Sequence, residues 1–332
     1  MMDYATFKAV AEKNILDYFP DSFKDAKIEI TPIVKVNKTK EAITIRSDES
    51  ANIAPNFYLE DMYEHYKACG DISEVFSKMA AAYMRNMEAA KNMNLPVFSE
   101  EFVKENVFMI MVNTESNKEL LDNALHREIN DCSVIYRIMV DQSNDGIASI
   151  LVTNDIADTA GLSEQELFLA ASENTKRIMP VKIQSMTEVI LGMMTKDGMP
   201  KELAETFIED VGPADVPMYV ITNESGINGA VNMLYDENLQ SLAQKVGDDL
   251  YILPSSIHEV ICVPAGNGDP EELAEMVQEV NMTCVKLEDR LSNQVYHYDK
   301  DLRKLTMATD TPNKRIDGMV AEQPLIYEEK KR

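Results

Sequence analysis

The segment His258-Glu259-Val260-Ile261-Cys262 begins like the zinc-protease pattern H-E-x-x-H, in which two ligands four residues apart share one helical face. Cys262 would be the second ligand. Val260, Ile261 and Val263, set between Pro254 and Pro264, instead predict a strand, where residues four apart stand about 13 Å from each other. Two ligands of one zinc each lie about 2 Å from the ion, so no zinc site is expected in this stretch. His65 and Cys69 repeat the spacing on a predicted helix, where a shared ion is geometrically allowed. No third or fourth ligand accompanies them, and a helix-packing pair with Cys69 as a small buried hydrophobe is the expectation.

Ser255 and Ser256 sit in a turn beside His258 and Glu259, which invites a hydrolase reading with serine as nucleophile and imidazole as base. The G-x-S-x-G elbow that would expose such a serine is absent, and turn serines ordinarily bond their own backbone. Gly266-Asn267-Gly268-Asp269 before a helix resembles an anion cradle but lacks the lysine and hydroxyl residue of a P-loop. Its acids Asp269, Glu271 and Glu272 would repel phosphate. No G-x-G-x-x-G follows a strand, so neither a dinucleotide nor another cofactor is expected. The chain has 21 methionines, and Met186, Met193, Met194 and Met199 fall in one helical stretch. Methionine fills irregular cores and also lines adaptable partner grooves. That stretch, next to an acidic segment, is the expected place for a partner-binding surface.

The elements that position these residues predict an α+β fold, mainly antiparallel hairpins packed with amphipathic helices. An opening helix is expected over residues 3–19, with Tyr4, Phe7, Ala11, Ile15 and Tyr18 on one stripe, followed by a hairpin from 27–36 and 42–46. A helix from Tyr58 should break at Gly70 and restart behind Asp71, with Glu74 completing a capping box. Strands are expected at 107–113, 133–140 and 147–153, then a helix opened by the box Ser163 and Glu166. Further on come a strand at 218–222, a helix at 236–246 and a hairpin from 249–253 and 257–263. A helix capped by Asp269, with Leu273, Val277, Val280 and Cys284 as its buried stripe, precedes a terminal hairpin, 294–298 with 304–307. Three prolines and a surplus of acids make 196–217 the expected linker. It would separate an N-terminal region, 1–195, from a C-terminal one, 218–310, with a polar flexible tail at 311–332.

Composition narrows the function classes. A formal charge of -25, from 57 acidic and 32 basic residues, repels nucleic acid and anionic lipid at long range. Four scattered cysteines in a chain large enough to need no staples fit reduced thiols. The start has no basic segment followed by an apolar core, and the longest apolar runs are six residues, 79–84 and 107–112. A soluble cytoplasmic protein without a membrane span is expected.

The stretch Tyr251-Ile252-Leu253-Pro254-Ser255-Ser256-Ile257-His258-Glu259-Val260 resembles a family of bacterial proteins catalogued as a domain of unknown function, found mainly in Firmicutes-type genomes. Asn52-Ile53-Ala54-Pro55, Ser163-Glu164-Gln165-Glu166-Leu167, Met218-Tyr219-Val220-Ile221-Thr222-Asn223 and Leu291-Ser292-Asn293-Gln294-Val295-Tyr296 carry the same resemblance. It implies one compact unit over about 1–310 instead of two regions and supplies no catalytic residues. The leading expectation is a protein that acts through protein contacts without catalysis. The alternatives are the hydrolase reading and an acidic mimic of nucleic acid that occupies a basic partner.

Overall fold

The computed structural model describes residues 1–46, 55–91, 97–143, 146–211, 216–310 and 316. The chain divides into two compact units, Met1–Val97 and Phe98–Arg332.

In the first unit Asp3 caps α1 (Tyr4–Asn14) by accepting the Thr6 N–H, and Phe7, Ala11 and then Ile15 turn inward at helical spacing. Strands β1 (Lys27–Lys35), β2 (Lys38–Arg46) and β3 (Asn56–Tyr58) form an antiparallel sheet in that order. Lys35 pairs with Lys38 across a tight two-residue turn whose Asn37 adopts φ 62°, a left-handed conformation that asparagine tolerates. Helix α2 (Leu59–Cys69) ends at Gly70, φ 74°, and α3 (Ile72–Lys91) follows. Asp71 accepts the N–H groups of Ser73 and Glu74 at the start of α3, while the Glu74 side chain turns to Lys78, so half of the expected capping box forms. Phe7, Ile43, Ile45, Leu59, Phe76 and Tyr83 meet in the core.

The second unit carries two antiparallel sheets. Helix α4 (Glu100–Asn106) leads into β4 (Val107–Asn113), buried along its whole length, and α5 (Lys118–Asp122), β5 (His126–Ile129), β6 (Cys132–Ser143) and β7 (Gly146–Leu151) follow. β4 lies along one edge of β6, and β5 and β7 share its other edge in succession. Helices α6 (Asn154–Ala160) and α7 (Glu164–Ile178) come next; Thr175 of α7 accepts the Met109 N–H of β4. Ser163 and Glu166 make the expected reciprocal box at the start of α7.

Next along the chain come β8 (Val181–Ser185), α8 (Met186–Lys196), α9 (Lys201–Val211), β9 (Tyr219–Asn223) and α10 (Asp236–Val246). They are followed by β10 (Leu250–Leu253), β11 (Val260–Pro264), α11 (Pro270–Thr283), β12 (Tyr296–Asp299) and β13 (Lys304–Met307). The six-stranded sheet has the order β13-β12-β10-β11-β9-β8.

Two expectations change here. Residues 196–217 join neighbouring strands of one sheet, since Val181 of β8 pairs with Asn223 of β9, and the division between compact units falls at Val97 and Phe98. Among the described residues of this stretch, Pro200 accepts the N–H groups of Leu203 and Ala204 at the start of α9. On α11 the buried positions are Ala274, Val277 and Asn281, while Val280 and Cys284 are exposed. The tail expected at 311–332 lies outside the described residues except for Ile316, which is buried and accepts from Arg290 Nη1.

Candidate functional site

His258 lies on the bend before β11, not within a strand. Its segment leaves the β10–β11 ladder after Leu253 and Ile261 because its backbone finds other partners: Ile257 donates to the Asp289 carbonyl and accepts from Ala230. The imidazole is held at both ring nitrogens, Nδ1 by the Asn228 N–H at 3.1 Å and Nε2 by Asp289 Oδ1 at 3.1 Å. No ring nitrogen is left for a serine hydroxyl. Ser256 is buried and its Oγ accepts the His258 backbone N–H at 3.0 Å, the self-bonding turn serine of the ordinary reading. Ser255 contributes its carbonyl to the Leu291 N–H. Glu259 is half-buried beside them. The arrangement ties three loops together and does not assemble a nucleophile and base.

Gly229 shows how tightly those loops meet. A Cβ there would lie 2.5 Å from Thr222 Oγ1, 2.6 Å from the His258 carbonyl and 2.7 Å from the Asn223 N–H nitrogen. Thr222 Oγ1 also donates to that His258 carbonyl.

The other sequence candidates, His65 and Cys69 of α2, each meet other groups. His65 stands 3.9 Å from Glu74 Oε1 and 3.5 Å from Lys78 Nζ, while Cys69 is exposed and its thiol reaches the Asp71 carbonyl. The expectation of a buried Cys69 is therefore corrected: it ends α2 just before the Gly70 turn, on the solvent side. Among the described residues no three His, Cys, Asp or Glu side chains group to hold a metal.

Sequence reading missed a buried cluster at Asp131. Its carboxylate accepts Ser292 Oγ at 2.6 Å and the Tyr296 hydroxyl, with Cys132 alongside, and so links the turn before β6 of one sheet to the start of β12 of the other. Burial pushes the Cys132 thiol and the Tyr296 hydroxyl well up, so both stay protonated at neutral pH, and burial holds Cys262 up likewise. None is a ready nucleophile. A separation of 165 residues between Asp131 and Tyr296 left no signal in the sequence.

A cleft of about 400 Å³ lies between the two sheets of this unit, floored by Met109, Phe168, Met233 and Leu305. Its charged rim is already paired off, Arg303 with Asp236 and Lys176 with Glu237.

The methionine stretch behaves differently. Ser185 and Glu188 make a full capping box that starts α8, and Gly198, φ 95°, turns the chain toward α9, which packs against α8. None of the eleven residues of α8 is buried, although Met186, Val189, Ile190, Leu191, Met193 and Met194 make most of it apolar. Exposure reaches 61% at Met193, 42% at Ile190, 57% at Leu203 and 52% at Phe207. Among the described side chains of α9, Ala204 is buried. Met186, Met194 and Met199 are half-buried. Exposed apolar area of this kind costs free energy in water.

The model of a family of unknown function (DUF5688) matches residues 4–300. The chain belongs to this family. The match runs through both compact units and through the α8–α9 pair. No curated protein and no solved structure matches the chain. No helix among the described residues is long and apolar enough to cross a membrane.

Proposed function

We propose that this family member acts through protein contacts, without catalysis of its own, and that the outer surface of α8 and α9 makes the contact. One observation carries the reading: α8 is a mostly apolar helix with a complete capping box and no buried residue. A helix specified that carefully at its start, half-buried at Met186, Val189, Leu191 and Met194 and exposed at Ile190 and Met193, keeps an apolar side for a partner to cover. Met193 and its neighbours suit such a role because unbranched thioether side chains repack against different partners. The paired ring nitrogens of His258 and the protonated buried thiols favour this reading over hydrolysis.

The test is a triple variant, Ile190→Ser, Met193→Ser and Phe207→Ser, in the full chain. All three positions are exposed, so the urea midpoint should stay within about 0.5 kcal/mol of the parent in free energy. A photo-crosslinking residue placed at Thr206 of the parent should trap a protein from the native cell, and the same probe in the variant should trap none. Equal crosslinking by parent and variant rejects the reading.

A further inference from the structure

We infer that the partner this surface takes is a positively charged amphipathic helix, an inference that rests on the contact reading above. Charge supplies the direction. Between residues 186 and 209 stand five carboxylates, Glu188, Asp197, Glu202, Glu205 and Glu209, against two ammonium groups, Lys196 and Lys201. All five acids are exposed, and Lys201 is itself 3.6 Å from Glu205. This local excess sits on a chain of formal charge -25, so the potential at the patch favours a cationic visitor at long range and opposes a second copy of this chain.

Spacing supplies the shape. On α9 Leu203 and Phe207 stand four residues apart and form one exposed stripe, while Glu202, Glu205 and Glu209, three and four apart, form another. At 3.6 residues per turn the two stripes lie about 150° apart around α9 and edge its outer face, opposite the buried Ala204. On α8 Ile190 and Met193 add exposed apolar surface one turn apart. A helix that carries Leu- or Phe-type anchors at i, i+3 or i+4, and i+7 would cover the apolar stripe. Its Lys or Arg residues, on long flexible stems, would reach across the outer face of α9 to the acids on the other edge. Methionine and aliphatic groups flanked by carboxylates form the surface that suits such a ligand. Nucleic acid has the wrong sign, and an acidic helix would meet repulsion at every acid named.

The experiment titrates the full chain with a fluorescent synthetic peptide of leucine and lysine at amphipathic helical spacing, about five turns long. Two controls accompany it: the same peptide with glutamate in place of lysine, and the leucine–lysine composition scrambled so that no apolar face forms. Saturable binding of the first peptide is expected, at least about tenfold tighter than either control, and weakening steeply as salt is raised. Met193→Ser with Phe207→Ser should cost about tenfold or more, and Glu202→Gln, Glu205→Gln and Glu209→Gln together severalfold. Leu302→Ser, at a residue 74% exposed on the β12–β13 turn, should change nothing.

Equal binding of the scrambled peptide, or indifference to the patch substitutions, overturns the inference by reducing it to bulk charge attraction. Preference for the glutamate peptide overturns it outright, as does self-association that Phe207→Ser abolishes. If crosslinking through Thr206 still depends on Met193 and Phe207 while the lysine peptide fails to bind, the contact reading survives and the partner class is wrong. If crosslinking ignores those residues, the contact reading itself has failed.

Discussion

His258 shows what a side chain's surroundings do to its apparent chemistry. Next to two serines and a glutamate it looks like a base, yet with both ring nitrogens bonded to Asn228 and Asp289 it is a strut between loops. Gly229 belongs to the same junction, where the His258 carbonyl and the Asn223 nitrogen leave no room for a methyl group. Two of the three crowding atoms are backbone and cannot rotate away. Gly229→Ala should therefore lower stability by about 1–3 kcal/mol, as overpacking of a close-fitted site does. Urea unfolding measures it, and an unchanged midpoint would mean that the junction opens without cost. The backbone bond of Ser256 fits its turn context. The partners of His258 were not, because Asp289 lies 31 residues away and Asn228 30 residues away.

Local signals carry furthest at the level of single elements. The boxes Ser163 with Glu166 and Ser185 with Glu188 begin α7 and α8 by satisfying backbone groups within four residues, and the first is among the helix starts expected from sequence. Hydrogen bonds from the Ser163 backbone and hydroxyl, with help from Lys104, bring the Glu166 carboxyl down to about 2. A carboxyl more acidic in the folded chain than in the unfolded one, where its ordinary value is about 4.3, contributes stability above that value. The contribution is lost as pH falls toward about 2. Glu166→Gln should accordingly be less stable than the parent at pH 7, with the gap closing across that acid window. A gap that is the same at pH 7 and in acid would rule out this linkage. Helix phase was less legible than helix starts. Val277 is buried on α11 as expected, but its companions are Ala274 and Asn281, not Val280 and Cys284. Apolar residues at 273, 274, 277 and 280 fit either of two adjoining stripes, and the sheet they meet decides between them.

For the molecule taken whole, the charge of -25 opposes compaction through self-repulsion that ions can screen. Raising sodium chloride from about 0.01 to 0.15 M shortens the screening length from about 30 to 8 Å, and the thermal midpoint should rise with it. A falling midpoint would show that attractive surface pairs such as Arg127 with Glu164 outweigh the net repulsion. The amino-acid sequence by itself determined the α+β class, the hairpins and most helix starts, because these follow from periodicity, capping and turn chemistry over a few residues, and its likeness to a family over residues 4–300 determined the family. Tertiary structure decided the rest. Pairing of β8 with β9 made the expected linker a connection between neighbouring strands, and the clasp of Asp131 by Ser292 and Tyr296 joined residues more than 160 apart. It also left the apolar helix α8 without a fully buried residue, since burial depends on which surfaces the fold brings together, and hydrophobicity alone does not say how deeply a helix is buried.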